Sequence, residues 1–215
     1  MSRAAGAAGI GGIFVERDAA RFRIGERDHT MGLRGIPEGR LHFDGCLVPK
    51  DHVLVGPPDG FKHLMRAYNS QRLGAATVAL GLAQGAYELA LGYAGRRRQF
   101  GRPIGDFQGI RWKLADMAIR LDAARLLIHR AAANAGDGFP DALEAAKAKT
   151  FAAEMAQEVT GQALQIHGAA GYGRGLPLER MVRDARMFAI GGGTVEMMRN
   201  LIADRLLPTK AKFRQ

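Results

Sequence analysis

The sequence has a single cysteine, Cys46, among its 215 residues. One thiol cannot form an intrachain disulfide, and residues 1–18 lack the uninterrupted apolar core of a signal peptide. We therefore expect a reducing, cytoplasmic location. Aromatic residues make up only 7% of the chain whereas Ala, Leu and Gly abound, a balance that favours close helix packing over an aromatic-rich β-sandwich.

Long apolar runs are also missing. A membrane-spanning helix needs about 20 predominantly apolar residues. The most apolar stretch, residues 73–94, is interrupted by Gln84 and Glu88 and is rich in glycine. This pattern predicts a protein without membrane insertion.

Acidic residues are scarce relative to basic ones, 21 against 31, which gives a net charge of +10. Such a charge attracts polyanions, whether nucleic acid, acidic lipid or phosphorylated small molecules. The basic residues are scattered, and only Arg96–Arg98 form a run, so phosphorylated small molecules fit better than nucleic acid. The six histidines have no metal-ligand spacing, and we predict no metal site.

The first part of the chain reads as short strands between Gly, Pro and Asp turn signals. The apolar runs that predict strands are Ile10–Val15, Leu41–Phe43, Leu47–Val48 and Val53–Val55, and Cys46 is placed in a strand. So few strands make only a marginal sheet, which predicts that residues 1–58 are a partial β domain whose earlier strands are absent or supplied elsewhere. The breaker Gly56-Pro57-Pro58-Asp59-Gly60 marks the boundary to a second domain, residues 59–215.

The second domain reads as successive helices. Long helices are expected from about Phe61, from near Asp106 and after Pro140, followed by shorter ones over Leu178–Ile190 and from near Thr194. The middle helix has an apolar stripe with steps of three and four residues: Phe107, Ile110, Leu114, Met117, Leu121, Ala124 and Ile128. In the next helix, Lys147 and Lys149 lie off the apolar stripe and are expected to stay solvated. Short connections favour an antiparallel four-helix-type bundle in a mainly α chain, with a basic tail from Pro208.

Seven strings then occur in one order along the chain. They are MGLRG at 31–35, VPKDHVL at 48–54, RRRQFGRPIGDFQ at 96–108, LADMA at 114–118, QIHGAAGYG at 165–173, LERMVRDAR at 178–186 and GGGTVEMMR at 191–199. In this order they resemble the motifs of acyl-CoA dehydrogenases, over about residues 9–207. Each string alone is weak evidence, but seven in register over nearly the whole chain are strong evidence.

The resemblance implies helical, β and helical domains, with FAD held between the β domain and the second helical domain of one subunit and a neighbouring subunit. The sequence here resembles the part from within the β domain onward. The resemblance further implies an oxidoreductase of fatty acid metabolism that acts on an acyl-CoA or acyl-carrier thioester. It also implies a homo-oligomer, a dimer or tetramer, or a hetero-oligomer with a related chain, and an electron-transfer flavoprotein as a possible partner.

Carried over residue by residue, the resemblance implies two sets of contacts. The cofactor-binding residues would be Arg97, Phe100, Gln108, Gln165, Gly168, Ala169, Thr194 and Glu196, and the substrate-binding residues Tyr68, Gln71, Arg72 and Gly192. The residue types suit these roles, because arginine binds phosphate oxygens as a fixed fork and small residues let backbone approach a phosphate. The alternatives also stay open: Arg96–Arg98 as a solvated helix end, Thr194 as an ordinary N-cap, and His167 as a structural histidine.

The resemblance also identifies what is missing. Dehydrogenation at the α,β-carbons of a thioester needs a carboxylate base to remove the α-proton. The residue before Gly193, the usual place of that base, is Gly192, and the position used by a minority resembling isovaleryl-CoA dehydrogenases is Gln71. Neither can act as a carboxylate base, so no catalytic residue is assigned. Two hypotheses follow: an FAD-dependent acyl-CoA dehydrogenase-like oxidoreductase with its usual Glu replaced, or a non-catalytic truncated paralogue or subunit that packs with a full-length dehydrogenase.

Overall fold

A computed structural model describes residues 9–207, so the basic tail predicted from Pro208 lies outside the described residues. The chain forms two compact units, one up to Tyr68 and the other from Asn69 onward. The first unit contains two pairs of antiparallel strands. Strand β1 (Gly12–Ile13) pairs with β4 (Val53–Val55), and β2 (Phe22–Arg27) pairs with β3 (Gly39–Phe43).

Three features of this first unit differ from the sequence-based expectation. Strand β2 was missed, because its sequence FRIGER mixes apolar and charged residues and its side chains are largely exposed. The segment Leu47–Val48 is not a strand; Leu47 is 94% exposed. Cys46, which was expected among the strands, lies in the loop after β3, where Gly45 turns the chain with a φ of 74°.

The helices that follow carry most of the chain, as predicted. Helix α1 begins in the first unit and continues through the second. The remaining elements, in chain order, are α1 (Gly60–Arg96), β5 (Arg98–Gln99), β6 (Arg102–Pro103), α2 (Gln108–Ala133), α3 (Ala142–His167), α4 (Ala169–Tyr172), α5 (Leu178–Met187) and α6 (Val195–Leu206). The expectation of a mainly α chain with an antiparallel bundle after a partial β region is confirmed.

Side-chain contacts fix the directions of the long helices. Arg120 pairs with Glu158 at 3.0 Å and Arg130 with Glu144 at 3.3 Å, so α2 runs antiparallel to α3. The C-terminal part of α1 meets the C-terminal end of α3, because the Tyr93 ring stacks on buried His167 with centroids 4.2 Å apart. Nearer their N-terminal ends, Arg72 of α1 and Lys149 of α3 donate to the adjacent carbonyls of Gly192 and Gly193, so α1 and α3 run parallel to each other.

The core of the second unit is built largely from alanine and a few longer apolar side chains. From the predicted stripe of α2, Met117, Leu121, Ala124 and Ile128 are buried, as the helical spacing predicted. Small side chains let the helices approach closely, which leaves little room for an unpaired polar group in between. Among the described residues, none of the helices combines the length and apolarity that crossing a membrane requires.

Candidate substrate and cofactor site

The loop that joins α5 to α6 covers residues 188–194 and ends with Gly191, Gly192, Gly193 and Thr194. Gly192 and Gly193 have φ values of 75° and 94°, in the left-handed region that residues with a Cβ rarely adopt. The backbone conformation of this loop therefore favours glycine at both positions. Glycine also leaves position 192, where the resemblance implies a base, without a side chain.

Two basic side chains hold the carbonyls of this loop. The Nε of Arg72, from α1, donates to the Gly192 oxygen at 3.4 Å, and the Nζ of Lys149, from α3, donates to the Gly193 oxygen. Arg72 also donates through Nη1 to the Oδ1 of Asn69 at 2.9 Å. Arg72 is buried, with 8% of its surface exposed.

Gln71 faces the same space. A Cβ atom added at Gly192 would lie 3.2 Å from Gln71 Oε1 and 3.9 Å from the Cε of Lys149. The two positions that the resemblance implies for a base, far apart in the sequence, are therefore neighbours in space, and the side chain of buried Lys149 lies beside them. Tyr68, the remaining predicted substrate residue, lies on the part of α1 that belongs to the first unit.

Lys149 contradicts the expectation that it stays solvated, because only 1% of its surface is exposed. Burial lowers the pKa of its ammonium group, the nearby Arg72 charge lowers it further, and the Glu196 carboxylate opposes this shift. A signal for the burial existed in the sequence: the residues three and four positions away on both sides, Ala145, Ala146, Ala152 and Ala153, are all small. Small residues on all sides of a helix position indicate a closely packed helix face.

Thr194 and Glu196 form the start of α6. Thr194 is the N-cap, and its Oγ1 accepts a hydrogen bond from the Met197 backbone N at 3.2 Å. Hydrogen bonds from its own backbone N–H and from the Thr194 hydroxyl hold the pKa of Glu196 below its ordinary value. Glu196 is exposed, so a ligand contact at the start of α6 is compatible with the capping role of Thr194.

A second group of predicted residues surrounds the short hairpin of β5 and β6. Arg97, directly after α1, and Gln108, the first residue of α2, are exposed. Between them Phe100 has a φ of 50°, and its ring is 89% exposed while it meets Phe107 edge-on at 6.0 Å. A left-handed backbone that presents an aromatic ring to solvent is unusual for a non-glycine residue, and such strained sites are typical of ligand contacts.

The predicted glycine turn lies at the end of α3. Gln165 is exposed in the last turn of this helix, and Gly168 ends it with a φ of 59°. Ala169, which replaces a glycine of the family motif, begins the short helix α4, where an alanine fits without strain. His167 is buried and its Nδ1 lies 2.8 Å from the Ala163 oxygen, which favours the structural alternative for this residue.

These residues fall into two groups at opposite ends of the bundle. Lys149 and Gln165 are sixteen positions apart on α3, or about 24 Å at 1.5 Å per residue. Arg72 lies about 36 Å from the end of α1 by the same measure. We define the loop end as Gln71, Arg72, Lys149 and residues 191–196, and the hairpin end as Arg97, Phe100, Gln108, Gln165, Gly168 and Ala169.

Residues 58–207 match the family model described as the acyl-CoA dehydrogenase C-terminal domain. The chain belongs to the acyl-CoA dehydrogenase family. Two solved structures of the family share its fold. Butyryl-CoA dehydrogenase from Megasphaera elsdenii superposes with a TM-score of 0.91 and 36% identity, over 95% of this chain and 53% of that one. A glutaryl-CoA dehydrogenase in complex with glutaryl-CoA superposes with a TM-score of 0.90 and 35% identity, over 94% and 52%.

A more similar sequence has a more specific name. The 3-sulfinopropanoyl-CoA desulfinase of Paraburkholderia xenovorans is 56% identical over 212 residues, which cover 96% of this chain and 54% of that protein. This chain therefore spans about half the length of the relatives it matches. The resemblance predicted from the seven strings is confirmed at the level of the family.

Proposed function

We propose that this chain is part of a desulfinase that removes the sulfinate group from C3 of an acyl-CoA thioester such as 3-sulfinopropanoyl-CoA. The observation that carries the proposal is the loop end, where both positions for an α-proton base are filled by Gly192 and Gln71. Arg72 and Lys149 add two buried positive charges beside them. The name of a relative at 56% identity supports the same reaction.

The proposed reaction balances without an oxidant. The C3–S bond breaks, C3 gains a proton, and the sulfur gains oxygen from water and leaves as hydrogen sulfite, with propanoyl-CoA as the other product. Carbon is reduced and sulfur oxidised within the same substrate. No α-proton has to be removed, so a site without a carboxylate base is consistent with this chemistry, whereas it is not consistent with α,β-dehydrogenation.

The residues of the loop end have distinct proposed tasks. The Gln71 amide can donate a hydrogen bond to a thioester carbonyl but cannot accept a proton near neutral pH. Gly192 leaves the space beside it open to the acyl group. Arg72 and Lys149 disfavour any cation there and favour an anionic substrate, because charges interact strongly away from solvent.

FAD is the proposed cofactor, and it supplies a hydride acceptor in dehydrogenation by the family. The residues present fit its parts: Arg97 offers a permanently charged fork to a pyrophosphate, Phe100 an exposed aromatic face to an adenine, and Gly168 a side-chain-free backbone. Gln108, Gln165 and Ala169 would complete these contacts. Thr194 and Glu196 would contact a flavin from the loop end.

The hairpin end and the loop end of one chain lie tens of ångströms apart. The two ends of one chain therefore cannot both contact the same FAD molecule at adjacent atoms. We therefore propose that two copies, or this chain and a related one, complete each cofactor site. This matches the oligomer implied by the family motifs. An electron-transfer flavoprotein remains a proposed partner only if the reaction is a dehydrogenation, since desulfination needs no electron acceptor.

The test is to measure sulfite and propanoyl-CoA released from 3-sulfinopropanoyl-CoA by the purified chain supplied with FAD and no electron acceptor. We expect equal amounts of the two products. Butanoyl-CoA with an artificial electron acceptor serves as the comparison and should give no enoyl product. Enoyl product without sulfite would refute the desulfinase proposal and favour a dehydrogenase with an unrecognised base.

The alternative of a non-catalytic subunit is separated by the same assay. The chain acts as a subunit if it binds FAD but releases no sulfite alone, while its mixture with a full-length family member releases more sulfite than that member alone. Phe100→Ala is the matched probe of the cofactor contact, because an 89% exposed ring contributes little to folding. We expect this variant to bind FAD more weakly with an unchanged melting temperature.

A further inference from the structure

Lys149 is a buried cation without an acidic partner among the ion pairs of residues 9–207. It is 1% exposed, and its Nζ donates to one backbone oxygen, that of Gly193. Lys147, two residues earlier on the same helix, is only partly buried. The two lysines therefore offer a matched comparison within one helix.

Packing does not explain a lysine at position 149. Removing an ammonium group from water is costly, and the neighbouring charge of Arg72 adds repulsion. A methionine has a similar length and volume, fills gaps well, and would avoid this cost. A buried lysine that opposes stability is better explained by what its charge and its hydrogen bond do to the loop.

The hydrogen bond restrains a part of the loop that is intrinsically free. Gly192 and Gly193 both adopt left-handed conformations, and glycine has access to more of backbone space than any other residue. Arg72 holds the carbonyl of Gly192 and Lys149 that of Gly193. Because C=O and N–H point in opposite directions across a trans peptide, these two bonds also direct the N–H groups of Gly193 and Thr194 away from the two cations.

We propose that Lys149 is a positioning residue: it fixes the peptide between Gly193 and Thr194, and so sets the geometry of Gly192 at the acyl group and of Thr194 at the start of α6. The inference rests on the proposed function for the identity of the ligands. Its structural content, restraint of residues 191–194 by Lys149, stands separately.

The experiment compares wild type, Lys149→Met and Lys147→Met in the full chain. Backbone hydrogen exchange of residues 189–199 should become about ten- to hundredfold faster in Lys149→Met, as expected for loss of a hydrogen bond from a charged donor. Exchange in α2 should not change, and the melting temperature should stay equal or rise. Lys147→Met should leave both quantities as in wild type.

A second variant, Lys149→Arg, keeps a charge and a donor and should restore slower exchange in the loop. Faster exchange throughout the bundle with a lower melting temperature in Lys149→Met would mean that the lysine is only structural and would overturn the inference. Unchanged loop exchange in that variant would overturn it as well.

With 3-sulfinopropanoyl-CoA, kcat/KM of Lys149→Met should fall by a similar factor although the protein is no less stable. If wild type releases no sulfite while the loop still loosens in Lys149→Met, the proposed function fails and the positioning role stands. If wild type releases sulfite but the loop of Lys149→Met exchanges as in wild type, the proposed function stands and the positioning role fails.

Discussion

The surroundings of Gly192 can be tested with variants that add, in turn, a Cβ atom, a neutral side chain and a charged side chain. Gly192→Ala adds only a Cβ to a residue with a φ of 75°, and a non-glycine residue there costs about 1–2 kcal/mol. The new Cβ would lie 3.2 Å from Gln71 Oε1, but Gln71 is exposed and can turn aside, so contact adds little. For a protein of this size the melting temperature should fall by roughly 2–4 °C per kcal/mol.

Gly192→Gln and Gly192→Glu then separate strain from charge. Both add the same length of side chain, but only glutamate is attracted by Lys149 and Arg72. A hydrogen bond between charged groups contributes about 1.5–3 kcal/mol, so Gly192→Glu should be more stable than Gly192→Gln by an amount near the lower end of this range. The free energies of unfolding from urea titrations at neutral pH measure the difference.

Each variant has its own contradicting outcome. An unchanged free energy of unfolding in Gly192→Ala would contradict the left-handed backbone at this position. Equal stabilities of the Glu and Gln variants would mean that the two buried charges do not face position 192. In flavin-loaded protein, Gly192→Glu should also gain α,β-dehydrogenation of a neutral acyl-CoA, and no gain would count against the equivalence of Gly192 with the family's base position.

Two further predictions concern stability. The folded-state pKa of Lys149 lies below the unfolded value near 10.5, so folding releases a proton between these two values. The free energy of unfolding of wild type relative to Lys149→Met should therefore rise as pH increases through this window; a flat difference between neutral pH and pH 10.5 would contradict the lowered pKa. Asp141 caps α3 by accepting hydrogen bonds from the backbone N of Leu143 at 2.8 Å and of Glu144 at 3.2 Å. Asp141→Ala should cost about 1 kcal/mol in urea titrations, whereas Asp137→Ala in the preceding exposed turn should change stability by less than about 0.5 kcal/mol; equal effects would argue against the cap.

Much of the fold was predictable because it depends on local periodicity. The stripe of α2 predicted the buried residues Met117, Leu121 and Ile128. The helix starts expected near Phe61, near Asp106 and after Pro140 lie within two residues of the observed starts of α1, α2 and α3. Strand β2 was not predictable in the same way. It pairs with β3 through backbone hydrogen bonds while its side chains remain largely exposed, so its sequence has no apolar face to reveal it.

The sequence named candidate site residues but did not indicate how they are arranged in space. The motifs named Gln71, Arg72 and Gly192, yet Arg72 and Gly192 are 120 residues apart, and only the packed helices bring them together. The exposure of Lys149 was predicted wrongly, because an apolar stripe indicates only which face of the helix meets one neighbouring helix. It does not indicate that a loop from α5 to α6 covers an adjoining face.

The length of α3 also has a consequence for how such proteins change their chemistry. Its N-terminal half supports the glycine loop at the proposed acyl-group site, while its C-terminal end leads into the turn proposed to contact a cofactor. About 24 Å of helix separates the two positions. On the function and assembly proposed above, a few substitutions at the loop end would change the reaction without replacing any residue of the hairpin end.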